Sequence, residues 1–388
     1  MSTIRRRSYT GFPGVFAATL VVFLAAGVVL AVLPQYVEDD LDAGRASVGL
    51  VVGSFALSAI VARPLLGRLA DTYGREAVLL AGCATMAFGS ALLFLPAGLP
   101  GAVSSRLIAG VGQAAVFTAG SAWAVDLAPS ERRGRTIAWF GLSVWIGLSV
   151  GPALGLALDA AFGRNVVWAC AALAPLLSAV IASFTHPSPV ARAEWARGTG
   201  LIVREALAPG IALGLVNVGY ATVVSFAGLM VAAQGDDRGA LVFPAFAIAV
   251  VGSRLILGGL PDRLGALRTA LAGAISASLG LATIGIGRGL VTALCGALVM
   301  GSAFSILYPA LATWVVGKVD EDRRGAALGT LTGFFDAGVG LGAPAAGIVA
   351  LAVGYSGSFW MASACAALAA VLVHRLVRAS GPDPPASG

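Results

Sequence analysis

Gly67-Arg68-Leu69-Ala70-Asp71-Thr72-Tyr73-Gly74-Arg75-Glu76 is a short polar break between two long apolar runs, and a looser copy of it returns 191 residues later. At that constant shift Gly67 falls on Gly258, Leu69 on Leu260, Asp71 on Asp262 and Gly74 on Gly265. Ahead of the break Arg63 falls on Arg254, and beyond it Leu80-Ala81-Gly82 falls on Leu271-Ala272-Gly273. With no gap, the same shift sets Arg132-Arg133-Gly134 on Arg323-Arg324-Gly325, and Gly147 and Gly151 on Gly338 and Gly342. Glycine and leucine coincide readily in apolar chains, whereas shared Asp and double-Arg positions do not. The sequence is therefore read as two copies of one design.

The apolar runs on either side of each break give the unit of that design. A bilayer core about 30 Å thick needs roughly 20 apolar residues per helix. That length predicts spans near 13–34, 47–67, 77–97, 101–126, 136–160, 165–185, 209–231, 239–259, 268–287, 289–316, 325–350 and 355–376. The fold class expected is an all-α membrane protein, twelve transmembrane helices in two pseudo-symmetric six-helix bundles. The domains expected are an N-terminal bundle over 1–185, a cytoplasmic linker over 186–208, a C-terminal bundle over 209–379 and a disordered Pro- and Gly-rich tail over 380–388. Repeated halves in a helical membrane protein imply two bundles working about a site near the bilayer midplane. That is the architecture of a carrier.

Composition agrees. Of the 388 residues 58% are hydrophobic and 11% charged, where a soluble protein spends about a quarter of its residues on charge. Lys and Arg gather in cytoplasmic loops. With the N-terminus inside, eighteen of the 25 basic residues fall in inner segments and four, Arg45, Arg164, Arg238 and Arg288, in outer ones. Both termini are expected in the cytoplasm, in a multi-pass protein of the cell membrane. The net charge of +6 is scattered in short clusters, with no basic face interleaved with aromatics, so no nucleic-acid partner is expected. Arg5, Arg6 and Arg7 precede an apolar stretch from Phe12 to Leu33, longer than the roughly 7–15 residues of a secretory signal, and it reads as a retained first span. Cys83, Cys170, Cys295 and Cys365 lie in apolar runs without metal-ligand spacing. No metal or cofactor is expected, and no phosphate-binding loop is present that would let ATP drive the work.

The break at Gly67–Glu76 resembles the first-half signature of the Major Facilitator Superfamily, G-x-L-a-D-[RK]-x-G-R-[RK]. Gly67, Leu69, Asp71, Gly74 and Arg75 match it, while Thr72 and Glu76 depart from its usual bases. In physical terms Gly74 suits a tight turn, Gly67 lets neighbouring helices approach closely, and Asp71 can cap a helix or pair with a base. The resemblance implies that Arg75 pairs with the acid ending the fourth span, Asp126, and that Asp71 reaches the eleventh. Gly67, Asp71, Gly74, Arg75 and Asp126 would then latch one conformation. Arg63 and Arg254, about a turn before each break, can snorkel to the inner interface.

The fifth span, from Gly147 through Gly151, Pro152 and Gly155, resembles the family's antiporter motif G-x-x-x-G-P-x-x-G-G, with Leu156 in place of the last Gly. Small residues four apart allow close packing and Pro152 a bend; the resemblance implies export. The fourth span begins its motif at Arg106, and Gly110, Gln113 and Phe117 follow at helical spacing. In the family such an arginine accompanies proton-linked transport. Asp336 lies about 16 Å into the eleventh span, where an ionised carboxylate must face a cavity, pair, or take up a proton. Arg106 and Asp336 are the expected proton-coupling residues. Gln113, Asn217, Tyr220, Ser305, Tyr308 and Asp336 are the expected substrate-cavity residues, with Trp123 and Trp145 as candidate aromatic walls.

These readings converge on a secondary active transporter, a proton-coupled exporter of a small amphipathic or lipophilic compound that alternates access to its site. It is expected to be monomeric and to perform no enzymatic chemistry; both histidines, His186 and His374, lie at cytoplasmic ends. Two other readings stay open: a proton-coupled importer of a small nutrient, and a non-transporting receptor or assembly factor on the same scaffold.

Overall fold

A computed structural model describes residues 11–129, 133–186, 203–287, 289–320 and 323–380. The described residues are helical throughout apart from short turns, and twelve of their helices are long and apolar enough to cross a membrane. In chain order these are α1 (Phe12–Gln35), α2 (Arg45–Tyr73), α3 (Arg75–Ala91), α4 (Gly98–Asp126), α5 (Arg133–Phe162) and α6 (Arg164–Ser183). After the inter-half segment come α7 (Leu207–Ala232), α8 (Val242–Leu257), α9 (Ala266–Gly285), α10 (Leu290–Val316), α11 (Arg324–Val353) and α12 (Tyr355–Ser380). All twelve predicted spans are present. Much of the predicted linker, 187–202, and the tail after Ser380 lie outside the described residues.

Several helices outrun the hydrophobic ruler. α2 continues six residues past its predicted end, so Gly67–Tyr73 form its last turns and not a loop. Nothing there breaks the helix: Thr72 donates its hydroxyl back to the Arg68 carbonyl at 2.9 Å. The turn is Gly74 alone, at φ +100° and ψ +150°, and its repeat Gly265 has φ +86° and ψ +148°. A side chain is disfavoured at such angles. In the second copy the helix stops earlier, at Leu257, and a five-residue helix, Leu260–Leu264, with Pro261 in its first turn fills the gap. Pro is tolerated there because a first-turn N–H has no helical acceptor to lose.

The described residues form two compact units. One holds α1 up to Leu33, α2 from Ser54 onward, and α3 to α6. The other holds residues 34–53 and everything described from Val203 onward. The core of the first centres on Trp123, Leu79, Met86, Phe23 and Phe140. In the second the largest fully buried side chains include Phe226, Phe359, Leu281, Met300 and Leu307.

The repeat seen in the sequence recurs as packing inside each unit. A Cβ added to Gly89 on α3 would meet the Ala109 nitrogen and, at 3.0 Å, the Ser105 carbonyl on α4. Added to Gly280 on α9, it would meet the Met300 nitrogen at 2.7 Å and the Gly296 carbonyl at 2.8 Å on α10. Every residue of the second set lies 191 positions after its counterpart. Gly110 abuts the Phe55 carbonyl, and Gly301 abuts that of Phe246, at the same shift. Backbones in contact at small residues are how helices associate without a hydrophobic driving force between them.

Candidate functional site

Arg75, first residue of α3, sits between two acids in the first unit. Its Nη1 donates to Asp71 on the last turn of α2, and its Nε donates to Asp126 Oδ2 at 3.2 Å at the end of α4. Three helix ends are thus tied at one guanidinium. The expected close approach at Gly67 is not found: an added Cβ there would meet only Thr118 Cγ2, at 3.9 Å. Helix contact does not account for this glycine.

The fifth-span glycines pack on the first helix. A Cβ on Gly147 would stand 2.7 Å from the Leu24 nitrogen; on Gly151, 2.6 Å from the Leu24 carbonyl and 2.8 Å from Gly27 Cα. Gly155 abuts the Val28 carbonyl, and a Cβ on Gly27 would strike Pro152 at 2.9 Å. Three successive turns of α5 therefore lie bare against three turns of α1.

On α4, Arg106 is 2% exposed, with its guanidinium carbon 4.2 Å from the centre of the Phe55 ring on α2. A desolvated cation on an aromatic face is stabilised by about 2 kcal/mol. Gln113 is buried on the same helix. Phe117, next along the stripe, meets Phe23 of α1 and Phe140 of α5 edge-on at 6.1 and 5.6 Å. Arg63 lies over the Phe117 ring at 4.8 Å. Its repeat, Arg254, donates to the Ser305 carbonyl on α10 at 3.0 Å. Each of the two arginines finds a partner on a neighbouring helix of its own unit. Trp123 is no cavity wall: it is fully buried in the core, its indole N–H donating to the His186 carbonyl at 3.2 Å. Trp145 is half-buried on α5.

The second unit contains an aromatic cluster drawn from four helices. Tyr220 of α7 stacks on Phe304 of α10 at 5.0 Å and leans on Phe246 of α8 at 5.8 Å and Phe335 of α11 at 6.5 Å. Phe304 also meets Phe246 at 5.7 Å and Phe335 at 6.1 Å. Asp336, adjacent to Phe335 and 7% exposed, lies about 18 Å along α11 from its start. Two residues on, Gly338 abuts the Gly214 carbonyl, and an added Cβ there would stand 2.8 Å from Asn217 Cβ. Asn217 Nδ2 donates to the Leu213 carbonyl at 2.8 Å. Tyr308 and Thr332 share a hydrogen bond at 3.3 Å. With the Thr332 proton directed to the Leu328 carbonyl at 2.9 Å, the phenol is the donor. The Asn217 Oδ1 and Ser305 Oγ atoms are buried with no hydrogen-bond partner among the described residues.

Five of the six expected cavity residues, Asn217, Tyr220, Ser305, Tyr308 and Asp336, thus fall in one unit on three helices, while Gln113 falls in the other. No group of His, Cys, Asp or Glu among the described residues is placed to hold a metal.

A family model described as Major Facilitator Superfamily matches residues 15–319 and 240–388. The chain belongs to the Major Facilitator Superfamily. An MFS-type transporter of Salmonella typhimurium is 31% identical over 377 residues, covering 93% of this chain and 95% of its own. Among solved structures, the nucleoside transporter NupG superposes with a TM-score of 0.73 at 14% identity, covering 94% of this chain and 98% of its own. A POT family transporter in complex with 5-aminolevulinic acid superposes with a TM-score of 0.78 at 12% identity, covering 95% of each chain. At those identities the two structures speak for the fold.

As a superfamily member the chain is a multi-pass transporter and not an enzyme, with a small-molecule substrate and a lipid bilayer as its surroundings. Phe55, Phe246, Phe304 and Phe335 were not singled out by the sequence. Phenylalanine in an apolar run carries no contrast with its neighbours, and only the packing of the helices brings these rings together.

Proposed function

We propose that this transporter is a proton-coupled exporter of a small amphipathic or lipophilic compound, working by alternating access with Asp336 and Arg106 as its coupling residues. The observation that carries the reading is Asp336 itself: a carboxyl midway along a membrane helix, 7% exposed, beside the aromatic cluster of Tyr220, Phe246, Phe304 and Phe335. Burial disfavours the charged form and water restores it, so a conformational change that wets and dries such a carboxyl changes its proton affinity. The substrate region is α7, α10 and α11, where Asn217 Oδ1 and Ser305 Oγ offer acceptors and the rings offer apolar faces. That balance suits a compound with few polar groups. Arg106 cannot lose its proton in practice, and its part is to hold fixed charge in the dry interior of the first unit. Outward direction is supported by the bare α5 surface at Gly147, Gly151, Pro152 and Gly155, whose motif resembles that of antiporters. Gly67, Asp71, Gly74, Arg75 and Asp126 act as the inner latch, the bundles span 1–185 and 209–379, and a monomer with both termini in the cytoplasm of the cell does the work.

The test is transport in proteoliposomes under an imposed pH gradient, with candidate compounds first chosen by ligand-induced thermal stabilisation. Movement should stop when the gradient is dissipated, and Asp336→Asn should abolish gradient-driven accumulation while leaving exchange of bound compound. Undiminished accumulation by Asp336→Asn removes Asp336 as the coupling residue.

A further inference from the structure

In the second unit α9 and α12 pack side by side and antiparallel, in a register fixed by two serines. Ser278 and Ser363 each donate a hydroxyl to the other's backbone carbonyl at 2.9 Å. Toward the far end, a Cβ added to Gly285 would meet Phe359 Cβ at 3.3 Å. Counted from the serine pair, Arg268 lies about 15 Å along α9 and Arg375 about 18 Å along α12, in the same direction. The two arginines therefore stand within a turn of one level. Arg378 follows on the next turn of α12, level with Arg263 on the short helix Leu260–Leu264.

All four arginines are exposed, and the apolar residues behind them set the face they occupy. On α9 the exposed Ile275 and Leu279 follow Arg268 by seven and eleven residues; on α12 the exposed Leu368 and Val371 precede Arg375 by seven and four. Such spacings keep residues on one side of a helix. Each stripe of exposed apolar side chains thus faces lipid and ends in arginine. Over residues 260–268 and 355–380 the sequence sets one acid, Asp262, against the four bases. None of the four forms an ion pair among the described residues. The repeat does not call for these bases. α3 and α6 expose Phe88, Leu177 and Val180, the counterparts of Leu279, Leu368 and Val371, yet Ala77 and Phe184 stand at the positions of Arg268 and Arg375. α6 ends at Ser183, the counterpart of His374, whereas α12 runs on to Ser380 and carries Arg375 and Arg378 on the added turns. Orienting the chain in the membrane asks only for bases in the loops. It does not ask that they end two neighbouring stripes at one level.

We propose that this face of α9 and α12 is a binding site for an anionic phospholipid, with Arg268, Arg375 and Arg378 on its phosphate and the two apolar stripes along its acyl chains. The phosphodiester oxygens accept from guanidinium N–H groups, whose planar fork suits such an oxyanion. A zwitterionic headgroup brings its own cation to the arginines and is held less well. The matching face of the first unit offers the chains the same surface and the phosphate no base.

The test needs no substrate, so its outcome is independent of the proton-coupled export reading. The purified full-length protein in detergent is titrated with dioleoyl phosphatidylglycerol or dioleoyl phosphatidylcholine, and bound lipid is counted by native mass spectrometry. The unaltered protein should bind phosphatidylglycerol the more tightly. A base beside an anionic headgroup contributes about fivefold to binding, so Arg268→Gln with Arg375→Gln should weaken phosphatidylglycerol about twenty-five-fold. Phosphatidylcholine should change little. Lys318→Gln with Arg323→Gln removes the same charge from the turn between α10 and α11 and should leave the preference in place. Glycerol 3-phosphate, which has the charge without the chains, should not displace the lipid. Equal binding of the two lipids by the unaltered protein overturns the proposal, and so does full retention of phosphatidylglycerol by the first variant. An equal loss in the second variant also overturns it, since diffuse charge would then explain the binding. Displacement by glycerol 3-phosphate overturns it as well, in favour of a site for soluble anions.

Discussion

At the scale of single residues, the glycines separate into those whose reason is contact and those whose reason is not. Gly151 has the Leu24 carbonyl and Gly27 Cα within 3 Å of an added Cβ, and both are backbone, which cannot rotate away. Gly151→Val should therefore destabilise the protein by about 1–3 kcal/mol through overpacking, read as a fall in Tm of several degrees in detergent. Gly67 is helical and nearly uncrowded, so Gly67→Ala should hold or slightly raise Tm, by up to about 1 kcal/mol. Should transport fall in Gly67→Ala while Tm does not, the glycine serves the working cycle and not the fold. Sequence alone could place glycine at these positions through the repeat and the two motif resemblances. It could not tell the two kinds apart, because closeness of approach is decided by the facing helix. The aromatic cluster was hidden for the same reason: Phe304 and Phe335 are ordinary in their own runs and become a site only when α10 meets α11.

At the scale of elements, the junction of α2 with α3 and its copy before α9 carry matched strain requirements. Gly74 and Gly265 share positive φ and extended ψ, so Gly74→Ala and Gly265→Ala should each destabilise by about 1–2 kcal/mol. The double variant should lose the sum to within about 0.5 kcal/mol, as independent sites do; thermal melts of the four species check it. The tie at Arg75 is expected to be different in kind. Its side chain is 16% exposed and those of Asp71 and Asp126 are 38% and 28% exposed, so screening keeps each pair's contribution to about 1 kcal/mol or less. Asp126→Asn should accordingly change Tm little while altering transport rate if the tie is a latch. The twelve helices were legible because a bilayer imposes length and hydropathy on each. The extension of α2 to Tyr73 was not, since polar residues at a helix end satisfy the helix as well as they satisfy a loop.

At the scale of the whole molecule, duplication made the fold readable: one shift of 191 residues predicts which turn, which glycine and which arginine recur. Tags at the two termini should be digested from the same side of sealed vesicles, as an even number of spans requires. What duplication could not reveal is where the copies differ. Glu38 and Tyr355 share a hydrogen bond across 317 residues, and no periodicity links them. That difference has a consequence for any attempt to split the gene between the sixth and seventh helices. The upstream fragment would carry off Pro34–Gly53, the piece that lies on Gly340, Pro344 and Gly347 of the downstream one. Made alone, the downstream fragment would show those naked peptide groups to detergent or lipid and should be the shorter-lived of the two. Co-expression should rescue it, because the upstream product brings the missing cover with it.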